Sequence, residues 1–209
     1  NNITEITKFM DECKSMKIQV LGPDVNESQY KFSVNKKGNI RFGLGAIKGV
    51  GDSAVQAIVK EREANGPYKG IFDFVERVNL SACGKKTIES LAISGAFDSF
   101  KEIHREDFTA LYSKGEIFLE TLVRYGVKVQ NDKMSQATSL FGSVAPIVTT
   151  PPEIPRGVPL SDIERLDKER ELVGMYLSAH PLDAYKLELL YGCNTRMTDL
   201  KDRESLLNK

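Results

Sequence analysis

Two glycines, Gly49 and Gly51, separate two short apolar patterns with helical spacing. Glycine allows a positive φ and a close approach of the backbone. A helix that begins at Asp52 also leaves its first amides without intrahelical acceptors. The pattern predicts a helix-hairpin-helix whose turn binds a phosphate without reading base sequence, and an ordinary helix-helix turn is the alternative. The residues predicted to contact DNA phosphate here are Lys48, Gly49, Val50, Gly51 and Ser53.

A degenerate copy of this unit follows along the chain. Its turn is Ala82-Cys83-Gly84, and Lys85 and Lys86 open the next helix. Two such units can pack as a pseudo-twofold pair, so that their turns follow the two strands of a duplex. We therefore add Lys85 and Lys86 to the predicted phosphate contacts, with a purely packing role for the second unit as the alternative.

Composition limits how strongly the chain can bind DNA. The 209 residues are 41% hydrophobic, and 29 basic residues balance 29 acidic ones. Without a net positive field, binding to DNA must be local and weak. Three well-separated cysteines suggest neither disulfides nor a zinc site, which favours a reducing cytoplasm. No apolar run approaches the length of a membrane span, so we expect no membrane partner.

The remaining patterns predict a mainly α fold. Alternating residues around an Asn-Lys-Lys-Gly-Asn turn predict a β-hairpin over 30–42, directly before the first turn. A helical stripe over 104–126 should end at Gly126, and five prolines between residues 146 and 159 predict an extended linker over 127–159. Ser161 and Glu164 form a capping box that opens a later helix.

Catalytic and metal sites are not expected in this chain. Its aspartates are scattered singly, whereas a two-metal catalytic site needs carboxylates that lie close together. His104 and His180 have no ligand-spaced neighbours, so we predict structural roles for both. A second function class is a helix-hairpin-helix DNA glycosylase with Asp73 as catalytic residue, although no base-flipping pocket is indicated. A third is a scaffold whose hairpins only pack.

Several blocks, in order along the chain, closely resemble the alpha subunits of bacterial DNA polymerase III, the C-family replicative polymerases. They are ECKSMKI (12–18), LGPDVNES (21–28), IRFGLGAIKGVG (40–51), GAFD (95–98), SLFG (139–142) and LSAHPLDAY (177–185). The resemblance implies a C-terminal fragment that lies after the catalytic core. It implies the end of the fingers and the β-hairpin over 1–43, and a tandem helix-hairpin-helix domain over 44–130. A linker over 131–159 and a helical segment with the start of an OB-fold over 160–209 would follow.

The same resemblance implies partners. Leu140 and Phe141 are a bulky apolar pair in a predicted linker, and in this family such a pair ends a sliding-clamp-binding motif. The residues implied to bind the clamp are Gln136, Ser139, Leu140 and Phe141, although the motif is one residue longer than its usual form; docking onto the chain's own domain is the alternative. The whole protein would be a cytoplasmic DNA-directed DNA polymerase that uses Mg²⁺ elsewhere and binds double-stranded DNA, the clamp and other replicase subunits.

Overall fold

The computed structural model describes residues 3–112, 115–138 and 149–193. They are mainly helical, as predicted. The helices are α1 (Ile3–Ser15), α2 (Asp52–Asn65), α3 (Ile71–Arg77), α4 (Lys85–Ile93), α5 (Phe118–Thr138), α6 (Asp162–Val173) and α7 (Lys186–Tyr191). Short 3₁₀ turns lie at Leu44–Ala46, Arg105–Thr109 and Pro181–Tyr185.

A small sheet precedes the first turn. Strands β2 (Ser33–Val34) and β3 (Ile40–Arg41) form the predicted hairpin, in which Ser33 pairs with Arg41. Strand β1 (Val20–Leu21) adds to β3 in parallel, so the strand order is β1-β3-β2. Within the hairpin turn, the Asn35 side chain accepts hydrogen bonds from the amides of Lys37 and Asn39, which is the local chemistry that closes the hairpin.

Helix boundaries with local signals agree with the sequence. Helix α2 ends before Gly66, which has a φ of +82°, and α4 is followed by Gly95 with a φ of +85°. At the start of α6, the Ser161 amide donates to Glu164 at 3.0 Å and the Glu164 amide donates to the Ser161 hydroxyl at 3.3 Å. The predicted capping box is therefore confirmed.

One predicted boundary is wrong. Gly126 does not end a helix but lies in the middle of α5, which continues to Thr138 through the first part of the expected linker. The Gln130 side chain donates to the carbonyls of Val75 and Val78 at 2.8 Å each, and Lys133 pairs with Glu76. These contacts to the end of α3 hold the additional turns of α5 in place.

The core lies among α2, α3, α4 and α5. Each helix buries apolar side chains there, and an aromatic group around Phe97 joins the helices to the Arg105–Thr109 turn. The largest fully buried apolar side chains are Phe42, Leu44, Ile58, Ile71, Phe74, Ile88, Leu91, Phe108, Phe118, Leu119 and Leu122. Arg62 of α2 is also buried and donates to the carbonyls of Val25 and Ser28, which fixes the loop before the hairpin.

The chain divides into two compact units, residues 1–178 and 179–209. The first includes α6, so the expected boundary at residue 160 does not coincide with this division. Residues 151–160 form neither helix nor strand and are anchored, because the Gly157 amide donates to the buried Asp107 carboxylate at 2.8 Å. In the second unit, described to residue 193, the Pro181–Tyr185 turn leads directly into α7. The predicted OB-fold entry, from Thr195, lies outside the described residues.

Candidate nucleic-acid interface

The Gly49–Gly51 turn presents backbone amides at the start of α2. Gly49 has a φ of +88°, a left-handed conformation that favours glycine. Gly51 is the N-cap residue of α2, and no side chain caps that helix. The amides of Asp52 and Ser53 therefore have no intrahelical acceptor. Among the described residues, no protein acceptor is found for the amides of Gly49 and Gly51 either.

Two of the predicted contact residues use their amides inside the protein. The Val50 amide donates to the Ile47 carbonyl at 3.1 Å, and the Val50 side chain is buried. The Lys48 amide donates to the Leu172 carbonyl of α6 at 2.9 Å. The Val50 side chain therefore packs within the turn, and Lys48 can offer only its exposed side chain to a phosphate.

Contacts from α4 hold the first turn in shape. The Thr87 hydroxyl donates to the Gly49 carbonyl at 3.3 Å. A Cβ at Gly49 would lie 2.6 Å from the Ser90 hydroxyl oxygen, so the missing side chain allows the turn to approach α4. Sequence analysis missed Thr87, Ser90 and Leu172. The only local pattern that indicates such a role is that Thr87 and Ser90 lie on the same face of α4 as Leu91. No local pattern indicates the role of Leu172.

The second turn also leads into a glycine-capped helix, but different hydrogen bonds form it. The Asn79 carbonyl accepts from the amides of Ala82 and Cys83, and no residue of this turn has a positive φ. Gly84 then caps α4 with a φ of −75°, close to the −79° of Gly51, and again without a side-chain cap. Burial raises the pKa of the Cys83 thiol to about 12, which marks it as a core group rather than a ligand.

The two helix N-termini therefore lie side by side, because Thr87 in the first turn of α4 contacts Gly49. Such ends carry partial positive charge and free amide donors, which suit an anion. Lys48, Lys85 and Lys86 are all exposed around them, but Lys85 forms an ion pair with Glu120 of α5. Lys48 and Lys86 have no ion pair among the described residues. Only these two of the three lysines therefore contribute uncompensated positive charge, and the net charge of the site is modest.

The two glycines of the first turn differ in their surroundings. A Cβ at Gly51 would meet no atom within 4 Å, whereas one at Gly49 would collide with Ser90. Gly49 is thus required by the fold. Gly51 instead leaves open space directly above the free amides, which is where a phosphate could approach.

The predicted clamp-binding residues are only partly described. Gln136 belongs to the last turn of α5, and Ser139, Leu140 and Phe141 lie outside the described residues. The flanking chain is anchored, since the Thr149 hydroxyl donates to the Asp132 carboxylate at 2.9 Å.

The residue proposed for the glycosylase alternative has a structural role. Asp73 accepts from the Lys69 amide at 2.9 Å and pairs with Arg77 at 2.8 Å within α3. Over the described ranges, no group of three or more His, Cys, Asp and Glu side chains is placed to hold a metal ion. None of the described helices is both long and apolar enough to cross a membrane.

Comparisons with known proteins agree with this geometry. Residues 17–108 match a family described as a helix-hairpin-helix motif. The chain is 37% identical over 204 residues to the DNA polymerase III subunit alpha of Haemophilus influenzae, covering 96% of this chain and 17% of that protein. It is 41% identical over 190 residues to that of Chlamydia trachomatis, covering 88% and 14%, and 32% identical over 209 residues to that of Pseudomonas aeruginosa, covering 96% and 18%.

The chain thus spans about a sixth of the length of these relatives, and each of them aligns with most of it. The helix-hairpin-helix match covers both glycine-capped turns and the β-hairpin before them. The chain therefore belongs, as a partial sequence, to the family of bacterial DNA polymerase III alpha subunits.

Proposed function

We propose that this chain is the part of a replicative polymerase alpha subunit that binds the phosphate backbone of duplex DNA. The observation that carries the proposal is the pair of uncapped, glycine-led N-termini of α2 and α4, held together by Thr87 and Ser90 against Gly49. Backbone amides bind phosphate oxygens regardless of base sequence, which suits a polymerase that must copy any template.

A salt titration tests the mode of binding. We expect the full chain to bind a blunt duplex weakly and without sequence preference, because the free amides and two unpaired lysines reach only a few phosphates. The slope of log affinity against log salt should be about −2 to −4. Fluorescence anisotropy with duplexes of different sequence measures both properties.

Gly51→Val tests the turn itself. The new side chain fills the open space above the amides and should weaken duplex binding at least about tenfold, while the helices persist. Gly22→Val is the matched control, because a Cβ at Gly22 also meets nothing within 4 Å and Gly22 lies outside the turn. If folded Gly51→Val binds as tightly as the parent, the hairpins are structural and the scaffold alternative is correct.

We also propose that polymerisation, with its Mg²⁺ ions, belongs to parts of the parent enzyme outside this chain. The chain alone should then extend no primer at any magnesium concentration, and it should release no base from damaged duplex. Gel assays for primer extension and for abasic-site cleavage measure these two activities. Extension by the pure chain would contradict the first expectation, and abasic product would restore the glycosylase alternative.

A sliding clamp is the second proposed partner, through Gln136, Ser139, Leu140 and Phe141. The family motif supports this proposal, together with the anchoring of the chain on both sides of residues 139–148. A peptide of residues 133–144 should bind the cognate clamp. Phe141→Ala should weaken it about 30- to 1000-fold, the effect of losing an aromatic anchor worth about 2–4 kcal/mol.

Gln136→Ala should weaken the peptide less, because the motif is one residue longer than usual. Calorimetry on the three peptides decides between clamp binding and a simple tether. Equal affinities of the parent and Phe141→Ala peptides would remove the clamp role. Contacts with other replicase subunits, an OB-fold beyond residue 194 and a cytoplasmic location complete the proposal and follow from the same family membership.

A further inference from the structure

A groove of about 370 Å³ lies between the segment before β2 and the outer face of α2. One wall is formed by Tyr30, which is 44% exposed, and the opposite wall by one side of α2. The groove lies apart from the free amides of the turn but shares α2 with them. Its lining residues are Gln29, Tyr30, Val55, Gln56, Val59, Lys60 and Glu63.

The Tyr30 ring packs against the backbone at this position. Gly45, in the 3₁₀ turn that leads into the Gly49–Gly51 turn, packs against it, and a Cβ there would lie 2.6 Å from the ring. The Gly45 amide also donates to the Tyr30 carbonyl at 3.1 Å. A half-exposed aromatic ring that already packs on one side loses less freedom when a flat ligand stacks on it than a fully exposed ring would.

The other groups offer contacts for the edges and the backbone of such a ligand. Gln56 donates its amide to Asp52 at 2.7 Å, which leaves its carbonyl oxygen as an acceptor, and Glu63 adds carboxylate oxygens. These oxygens can accept from the exocyclic amines of bases. Lys60 has no ion pair among the described residues and can reach a phosphate.

The groove lies a short distance from the Gly49–Gly51 turn that we propose binds duplex DNA. Val59 is about 12 Å along the axis of α2 from Gly51, at 1.5 Å per residue. One strand of B-form DNA carries about three to four phosphates over that length. A strand that leaves the turn can therefore place a nearby base in the groove once that base is unpaired.

We propose that this groove binds an unpaired nucleobase, by stacking on Tyr30, where single-stranded DNA continues from the duplex held by the turn. The proposal rests on the proposed duplex-binding function and adds a second contact to it. Lys60 and Glu63 offset one another in charge, so the gain from the unpaired base depends on stacking and should change little with salt.

The test compares three DNAs on the full chain by anisotropy. They are a blunt duplex, the same duplex with a six-nucleotide single-stranded extension at either the 5′ or the 3′ end, and an abasic extension of equal charge. The base-bearing extension should tighten binding about 5- to 150-fold over the abasic one, as expected for about 1–3 kcal/mol from one stacked base. Tyr30→Ala should remove that gain and leave blunt-duplex affinity unchanged, and Tyr30→Phe should retain it.

The outcomes separate this inference from the duplex proposal. Equal binding of base-bearing and abasic extensions by the parent chain overturns the inference, whatever Tyr30→Ala does, and leaves the groove as a surface for a protein partner. Absence of blunt-duplex binding, with the gain of the base-bearing over the abasic extension intact, overturns the duplex proposal alone. A Tyr30→Ala effect that is equal for both extensions also overturns the inference.

Discussion

Cys83 lies in the turn between α3 and α4 and is fully buried. Its thiol ionises near pH 9.0 in the unfolded chain, whereas burial raises the folded pKa to about 12. A raised folded pKa means that the stabilisation is complete below pH 9 and is lost as pH rises towards 12. We expect unfolding free energy to fall above pH 9, by at most about 1.4 kcal/mol per pH unit from this group.

Denaturant titrations at pH 8, 9 and 10 measure that loss, and the Cys83→Ala variant should show less of it. Alkylation offers an independent check, since iodoacetamide at pH 8 should modify the exposed Cys193 and spare Cys83. Rapid modification of Cys83 in the folded protein would show that the turn opens and that the thiol is not held in the core.

Gly49 and Gly51 show which roles of single residues can be predicted from the sequence and which cannot. The spacing of the two glycines was sufficient to predict the turn, but it could not assign them different roles. Those roles depend on Ser90, which lies far along the chain and meets only Gly49. For the same reason the Leu172 carbonyl, which accepts from the Lys48 amide, could not be predicted.

At the scale of elements, α5 packs closely against the end of α3 around Gly126. At Gly126 a Cβ would lie 2.7 Å from the Val75 carbonyl oxygen and 2.9 Å from Leu80. Gly126→Ala should lower unfolding free energy by about 1–2 kcal/mol, because overpacking of about 1–3 kcal/mol exceeds a gain in helix propensity of up to about 1 kcal/mol. Chemical denaturation measures the difference.

Lys128→Ala is the control for this prediction, because Lys128 is exposed on the same helix and its replacement should change stability by less than about 0.5 kcal/mol. If Gly126→Ala is more stable than the parent, α5 tolerates displacement from α3 and the packing argument fails.

The same helix shows why some elements were predictable and others were not. Helices α2, α4 and α6 begin or end at local signals such as Gly66, Gly95 and the Ser161–Glu164 capping box. Gly126, at the expected end of α5, gives the same local signal, but its role is to let α5 approach α3 closely. The contacts that extend α5, from Gln130 to the end of α3, are tertiary and have no local pattern.

For the molecule as a whole, Asp107 joins the segment after α5 to the main body. Its buried carboxylate accepts from the Gly157 amide and pairs with Arg156 at 3.1 Å. Asp107→Ala should release this segment and speed tryptic cleavage after Arg156 about 5- to 150-fold, given about 1–3 kcal/mol for the lost hydrogen bonds. Limited proteolysis with mass spectrometry measures the rate.

Cleavage after Arg165 inside α6 serves as the internal control and should keep its parental rate. Unchanged cleavage after Arg156 would mean that other contacts, such as the packing of Ile154 against the core, are sufficient to hold the segment.

The hydrogen bond between Thr149 and Asp132 limits how far residues 139–148 could carry the clamp that we propose binds there. From residue 138 to 149 the chain measures at most about 40 Å, so its midpoint stays within about 20 Å of the domain. With the proposed clamp bound, a tether this short would give the clamp an effective concentration of about the millimolar range beside the proposed duplex-binding turn. Two weak interactions, one with the DNA backbone and one with the clamp, would then together bind the chain to DNA as tightly as one strong interaction.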